Sequence, residues 1–415
     1  MLTWASPFNI CCFLDNHAYG SPSHRFECLL AVGAVDRVRA SAGNALQQVK
    51  DFSLRHKDWL FGHFAYDLVH ETEPMHHPGA FPSLPDPIGF PDLFFFLPEV
   101  VIELRSDSIR IGSLHSDPPM IWEQIRCASP MAASPGSPPL HFTPRFTREA
   151  YLDTITALQR HILRGDCYEI NFCQEFFARP ADIDPWQTWW ALSGASPNPF
   201  SALYRLEDSY LICASPERYL KKTGRILLSQ PIKGTSSRIP GDPVADAASR
   251  EGLFRSPKDR SENVMVVDLV RNDLSKVCRP GTVAVNELYG IYPFPQVHQM
   301  ISSVQGELLP DRHWVEAIQA TFPMGSMTGA PKYRVASLIA QYERSRRGIF
   351  SGAIGYVTPE EDFDFNVVIR SLLYNSHDRY LSYQVGSGIT FYSDPEAEYA
   401  ECLIKAEGIK KALGI

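Results

Sequence analysis

One lysine stands in the run Ser229–Arg238 (SQPIKGTSSR), and the five residues around it, Pro231-Ile232-Lys233-Gly234-Thr235, are otherwise small or apolar. The strand-like Arg225-Ile226-Leu227-Leu228 leads into it, and Gly234 lets backbone approach a ligand closely. An ammonium that leaves water at the end of a strand loses its proton more readily, and a neutral amine is a nucleophile. The same stretch also describes a surface lysine beside a turn. Carboxylates are the second chemical resource. Asp259 and Glu262 stand at i and i+3, as do Glu398 and Glu401, with Lys405 at i+4 from Glu401. On helices such residues share one face. Two acidic faces with few histidines or thiols near suit Mg²⁺, which takes oxygen ligands and keeps several waters. They equally describe two solvated helix faces.

Anion-binding material lies further along. Gly386-Ser387-Gly388 follows a strand-like run and can aim backbone N–H groups at a carboxylate. Arg370 interrupts the apolar Val367-Val368-Ile369, and a buried arginine normally has an anionic partner, either a ligand or a core carboxylate. Tyr356, after Gly355, is a packing aromatic or a hydroxyl donor. His70, His76 and His77 share a Pro-containing loop, where they are either metal ligands or simply solvated. The sequence holds no G-x-G-x-x-G, no phosphate-binding G-x-x-x-x-G-K-[ST], no G-x-S-x-G elbow, and no Gly-x-Cys-x-Gly setting for glutamine hydrolysis.

The elements that must position these groups fall into three stretches. Residues 1–128 read mostly as strands with a helix over Ser41–Phe52. Residues 129–144 (SPMAASPGSPPLHFTP) have the composition of a Pro/Ser-rich linker. Residues 145–415 alternate helices and strands. A helix starts at Thr147 and stops at Gly165, and a hairpin joins Ser201–Arg205 to Ser209–Ala214. Pro240–Asp259 reads as a polar connection, Ser261–Asp273 as a helix, Asp364–Leu373 as one strand, and Glu396–Leu413 as the closing helix.

Composition narrows the classes. The 415 residues are 44% hydrophobic and 21% charged, which is globular and ample for a large core. Net charge is −8 with no basic stripe, which argues against nucleic acid. The nine scattered cysteines form neither a zinc nor a disulfide framework and fit a reducing cytoplasm. The first residues do not read as a signal peptide, and no apolar run reaches the length of a membrane span.

Taken in order, these segments resemble the chorismate-utilising enzymes. The resemblance is strong from Thr147 onward: Gly165-Asp166, Asn171 and Gln174, Asn198-Pro199, Ser215-Pro216-Glu217, PIKGT, the run Glu262–Asp273, Thr328–Lys332, Gly352–Tyr356, Ile369-Arg370-Ser371 and Gly386–Gly388. It implies an α+β fold like the anthranilate synthase large subunit: a two-sheet β-sandwich with helices outside and the site between the sheets. Within the family, anthranilate synthases carry PIAGT where aminodeoxychorismate synthases carry PIKGT. The resemblance therefore implies that Lys233 attacks C2 of chorismate and that ammonia, from a separate glutamine amidotransferase, then adds at C4. Glu217 matches the general acid/base, and Glu262 and Glu401 match Mg²⁺ ligands, with Asp259 and Glu398 acting through water. Gly234, Thr235, Tyr356, Arg370, Gly386, Ser387, Gly388 and Lys405 match substrate-binding positions.

Two departures stand out. Relatives carry a histidine before a hydrophobic pair and serine, where this chain has Gln299, with His298 one residue earlier; in a strand that offset points to the other face. Leu14-Asp15-Asn16-His17 departs from the Leu-Glu-Ser of the family's tryptophan feedback site. Anthranilate synthesis, dual use, or a subunit that only binds are the competing readings.

Overall fold

The computed structural model describes residues 1–19, 26–73, 84–129 and 140–415. His76, His77 and most of the 129–144 stretch lie outside these residues; His70, expected in a loop, is exposed within the short helix Val69–Thr72.

Two antiparallel sheets, of eleven and ten strands, make the expected sandwich. In the larger sheet the order runs from Gly329–Ala330 through Glu169–Ala178, Tyr380–Ile389, Ser371–Asn375, Ser209–Ser215 and Phe200–Leu206 to four strands from residues 10–113. In the smaller, Ile232–Ser237 is followed by Val297–Glu307, Ile226–Gln230, Arg218–Thr223, Phe363–Asn366 and Ala353–Val357. It ends in three strands from residues 36–97. The chain before residue 128 thus extends both sheets.

Side-chain alternation explains the layering. Cys12 and Tyr204 point from the larger sheet into a core shared with Phe64, Phe95 and Phe365 of the smaller sheet. Cys11, Phe13 and Leu203 point the other way, to a core shared with Tyr151, Ile155 and Trp189 of the outer helices. With both faces covered, these strands read as continuous apolar runs rather than alternating ones.

The predicted helix after Thr147 spans Arg148–Leu163; Thr147 caps it by accepting from the Ala150 N–H at 3.2 Å, and Gly165 ends it at φ +83°. Three expectations are corrected. The polar connection Pro240–Asp259 holds a helix, Pro243–Arg255, whose signal was present: Asp242 as cap and Pro243 in the first turn. The closing helix is two, Pro395–Lys405 and Glu407–Leu413. The Asp364–Leu373 strand is broken at 367–370, where the chain leaves one sheet for the other. Among the described residues no helix is long and apolar enough to cross a membrane.

Candidate active site

Two of the places where the chain passes directly between the sheets are neighbours. Pro216-Glu217 joins Ser209–Ser215 of the larger sheet to Arg218–Thr223 of the smaller, and residues 367–370 make the return journey. The crossings are bonded to each other: Val367 N–H donates to Glu217 O at 3.0 Å and Ala214 N–H to Arg370 O at 3.2 Å. Arg370 takes φ +54°, a strained left-handed geometry for an arginine, at the turn between sheets. It is therefore not a strand residue. Its guanidinium forms no ion pair among the described residues, and burial lowers its pKa despite the field of Glu401. No core carboxylate among the described residues pairs with it.

A cleft of about 520 Å³ opens beside these crossings. Lys233, Gly234 and Thr235 reach it from the Ile232–Ser237 strand, and Glu217 and Arg370 from the crossings. Asp259 and Glu262 reach it from helix Pro257–Ser275, and Glu398, Glu401 and Lys405 from helix Pro395–Lys405. Both helices have Pro in the first turn and a side-chain cap: Ser256 accepts from Asp259 N–H at 3.3 Å, Asp394 from Ala397 N–H at 2.9 Å. Gly234, at φ +98°, leaves its missing Cβ to Asp259, so the lysine strand and the acidic helix pack in contact.

Gly386–Gly388 is not a loop but part of the strand Tyr380–Ile389, paired with Cys173, Phe172 and Asn171. Strand alternation therefore splits the three: Gly386 and Gly388 face the cleft, and Ser387, fully buried, is not among its walls. Lys405 Nζ donates to Gly386 O at 2.8 Å and pairs with Glu401 at 2.7 Å. Tyr356 is also elsewhere. It lines a separate cavity of about 60 Å³ with Asn16, Phe26 and Ser201, and its ring meets Phe26 and Trp59, each at 5.8 Å. Gln299 lines the cleft, with Oε1 buried and unpartnered, whereas His298 faces away toward Asp246 at 3.1 Å.

Sequence reasoning missed Glu169. This carboxylate is 2% exposed on the strand Glu169–Ala178, and its Oε1 accepts from Lys233 Nζ. Its signal was a charged residue at the start of a strand buried along almost its whole length, and a buried carboxylate implies a cationic partner. The pairing reverses the expected state of the lysine. Burial pulls the Lys233 pKa down, but Glu169, Glu262 and Glu401 together hold it above its ordinary value. Contact with Glu169 thus favours the charged form of the lysine.

The other carboxylates are tuned by the same closeness. Burial lifts Glu217 to about 7, against hydrogen bonds from Ser326 and the Ile232 backbone. Burial likewise lifts Glu262 to about 7, with Lys233 opposing and Glu169 reinforcing. Burial would raise Glu401 too, but Lys405 holds it below its ordinary value.

A divalent cation fits this donor set. Glu262 Oε1 and Glu398 Oε1 are buried without hydrogen-bond partners among the described residues, and the donors are all oxygen. A lysine ammonium reaches the same oxygens: Lys258 Nζ lies 3.9 Å from Glu262 Oε1 and 3.6 Å from Glu398 Oε1. Among the described residues no three Asp, Glu, His or Cys side chains gather closely enough to ligate an ion together. That is compatible with two direct protein ligands and the rest through water, the habit of Mg²⁺.

The cleft thus sets carboxylates beside Lys233, Lys258, Lys405 and Arg370, the last with no ion pair among the described residues. The family model for chorismate binding enzymes matches residues 18–411, and the chain belongs to that family. Its relatives include an aminodeoxychorismate synthase component 1 of Klebsiella aerogenes, 39% identical over 263 residues, covering 63% of this chain and 57% of the relative. An anthranilate synthase component I-like protein of Synechocystis is 32% identical, covering 86% of this chain and 73% of the relative. The crystal structure of anthranilate synthase component I from Streptococcus pneumoniae superposes with a TM-score of 0.81 at 25% identity, over 94% of this chain and 93% of that one. The matched stretch thus spans less than two thirds of the Klebsiella relative's length.

Proposed function

We propose that this chain converts chorismate and ammonia to 4-amino-4-deoxychorismate, the precursor of p-aminobenzoate and folate. The observation that carries the reading is Lys233 in one cleft with Glu217, the lysine reaching between the sheets and the carboxyl titrating near neutrality. Lys233, once neutral, attacks C2 of the ring; the conjugated double bonds shift and the C4–O bond breaks. Glu217 donates a proton to the departing hydroxyl, which leaves as water. Ammonia then adds at C4, the double bonds shift back, and the C2–N bond to Lys233 breaks. Glu217 recovers a proton from the new ammonium. The lysine divides one difficult displacement into two allylic ones.

Arg370, with no ion pair among the described residues, and the backbone at Gly386 and Gly388 are assigned to the enolpyruvyl carboxylate; Gly234, Thr235 and Lys405, which line the same cleft, are assigned to the rest of the substrate. Glu262 and Glu401 would hold Mg²⁺ directly, with Asp259 and Glu398 through water, and the bound ion would supply positive charge to the ring carboxylate. The ammonia source is a glutamine amidotransferase subunit, a reading supported by the "component 1" in the Klebsiella relative's name. Anthranilate formation is the second reading, favoured by the Streptococcus pneumoniae likeness and opposed by Lys233, which that chemistry does not need.

Lys233→Ala tests the assignment. Chorismate should still bind, and aminodeoxychorismate should no longer form. Undiminished amination at C4 in the variant would sink the lysine route.

A further inference from the structure

Glu169 has no role in the scheme above, yet it is the group in contact with the nucleophile. Lys233 rises from the smaller sheet and donates to Glu169 on the larger, so the pair spans the gap between them. The space is made by Gly388, where a Cβ would collide with both Lys233 Nζ and Glu169 Oε1. Glu169 Oε2 is buried and has no hydrogen-bond partner among the described residues, so the carboxylate can take a proton without breaking another bond.

Other charges face the lysine. Glu262 lies on helix Pro257–Ser275, Glu401 on helix Pro395–Lys405 and Glu217 on the crossing. Lys258 sits beyond, beside Glu262 and Glu398. Among the described residues only Glu169 touches Nζ. Chorismate adds two further carboxylates to this crowd, and like charge makes a buried carboxylate easier to protonate.

We propose that Glu169 is a catalytic residue: it takes the proton of the Lys233 ammonium when chorismate is bound and returns it when the lysine leaves. The inference rests on the aminodeoxychorismate reading. In balance, the N–H bond of Lys233 breaks and an O–H bond forms on Glu169. The freed electron pair makes the C2–N bond, and the C4 hydroxyl leaves as water with the proton of Glu217. When ammonia has displaced the lysine as a neutral amine, Glu169 gives its proton back, and both sites return to their starting state. No outside base is needed.

The test follows adduct formation on the intact protein by mass, with chorismate and Mg²⁺ but no ammonium, for wild type, E169Q and E169D. Wild type should gain the mass of chorismate less one water, on Lys233, at a rate that falls only as pH rises through about 7, where Glu217 loses the proton it donates. E169Q has no internal acceptor and must lose the lysine proton to solvent before substrate binds. Near pH 7 its adduct should form at least about 10-fold more slowly, and its rate relative to wild type should climb with pH. E169D, which keeps the carboxylate, should lie between. E169Q as fast as wild type near neutrality, with the same pH dependence, overturns the role of Glu169 and leaves the lysine route standing. No adduct in wild type while aminodeoxychorismate still forms with ammonium overturns the lysine route and this inference together.

Discussion

Gly388 and Lys233 belong to different sheets, yet the side chain that Gly388 lacks is the room that the Lys233 ammonium occupies. Gly388 pairs with Asn171 near the end of its strand, and the Cβ it lacks would meet Lys233 Nζ and Glu169 Oε1. Gly388→Ala should displace Lys233 from Glu169, with a loss of about 100-fold in turnover from misplacement of the nucleophile and about 1–3 kcal/mol of stability from overpacking. Steady-state assay and denaturant melts measure the two effects. Unchanged turnover would mean that the lysine does not act from the position it holds here.

Glu217 sets a pH dependence. Burial raises it to about 7, so the folded chain binds this proton more tightly than the unfolded chain does. Stability from this group is present at acid pH and is lost as pH rises from the ordinary carboxylate range through about 7. Glu217→Gln removes the loss. Above about pH 7 the variant should be more stable than wild type, by up to about 3 kcal/mol, and near pH 4 no more stable. Its turnover should fall by about 10²–10⁴-fold. Melting curves at both pH values decide the matter; the same shift at each would contradict the burial argument.

The proposed Mg²⁺ competes with a resident cation. Lys258 Nζ stands 3.6 Å from Glu398 and 3.9 Å from Glu262, from a half-exposed position on the cleft rim. Chelation should abolish turnover and added Mg²⁺ restore it. Lys258→Ala should lower the Mg²⁺ concentration for half-saturation by about 2–5-fold, the range of a screened surface pair. Calorimetric titration of the metal checks this, and weaker binding in the variant would place the ion elsewhere.

Much of the site was legible because its parts are local. The i, i+3 carboxylates sit on the helices their spacing implied, both with Pro in the first turn, and the one-residue offset of His298 from Gln299 does put the two on opposite faces. What stayed hidden depends on contacts between distant segments. Nothing near Lys233 in the chain announces Glu169, which belongs to the other sheet, and so the sign of the lysine's pKa shift was read the wrong way round. The run through Val367–Arg370 looks like a continuing strand because a crossing between two buried sheets is as apolar as the sheets themselves. Tyr356 lies one residue past Gly355 on a strand whose cleft-side geometry the sequence did not fix, and it faces the aromatic wall of another cavity.

The most direct measurement is of product. The chain is incubated with chorismate, Mg²⁺ and ammonium at mildly alkaline pH, with and without a glutamine amidotransferase and glutamine, and the products are separated by mass. Aminodeoxychorismate, formed by wild type and not by Lys233→Ala, is the predicted result. Anthranilate as the product, or no turnover even with the amidotransferase present, would contradict it.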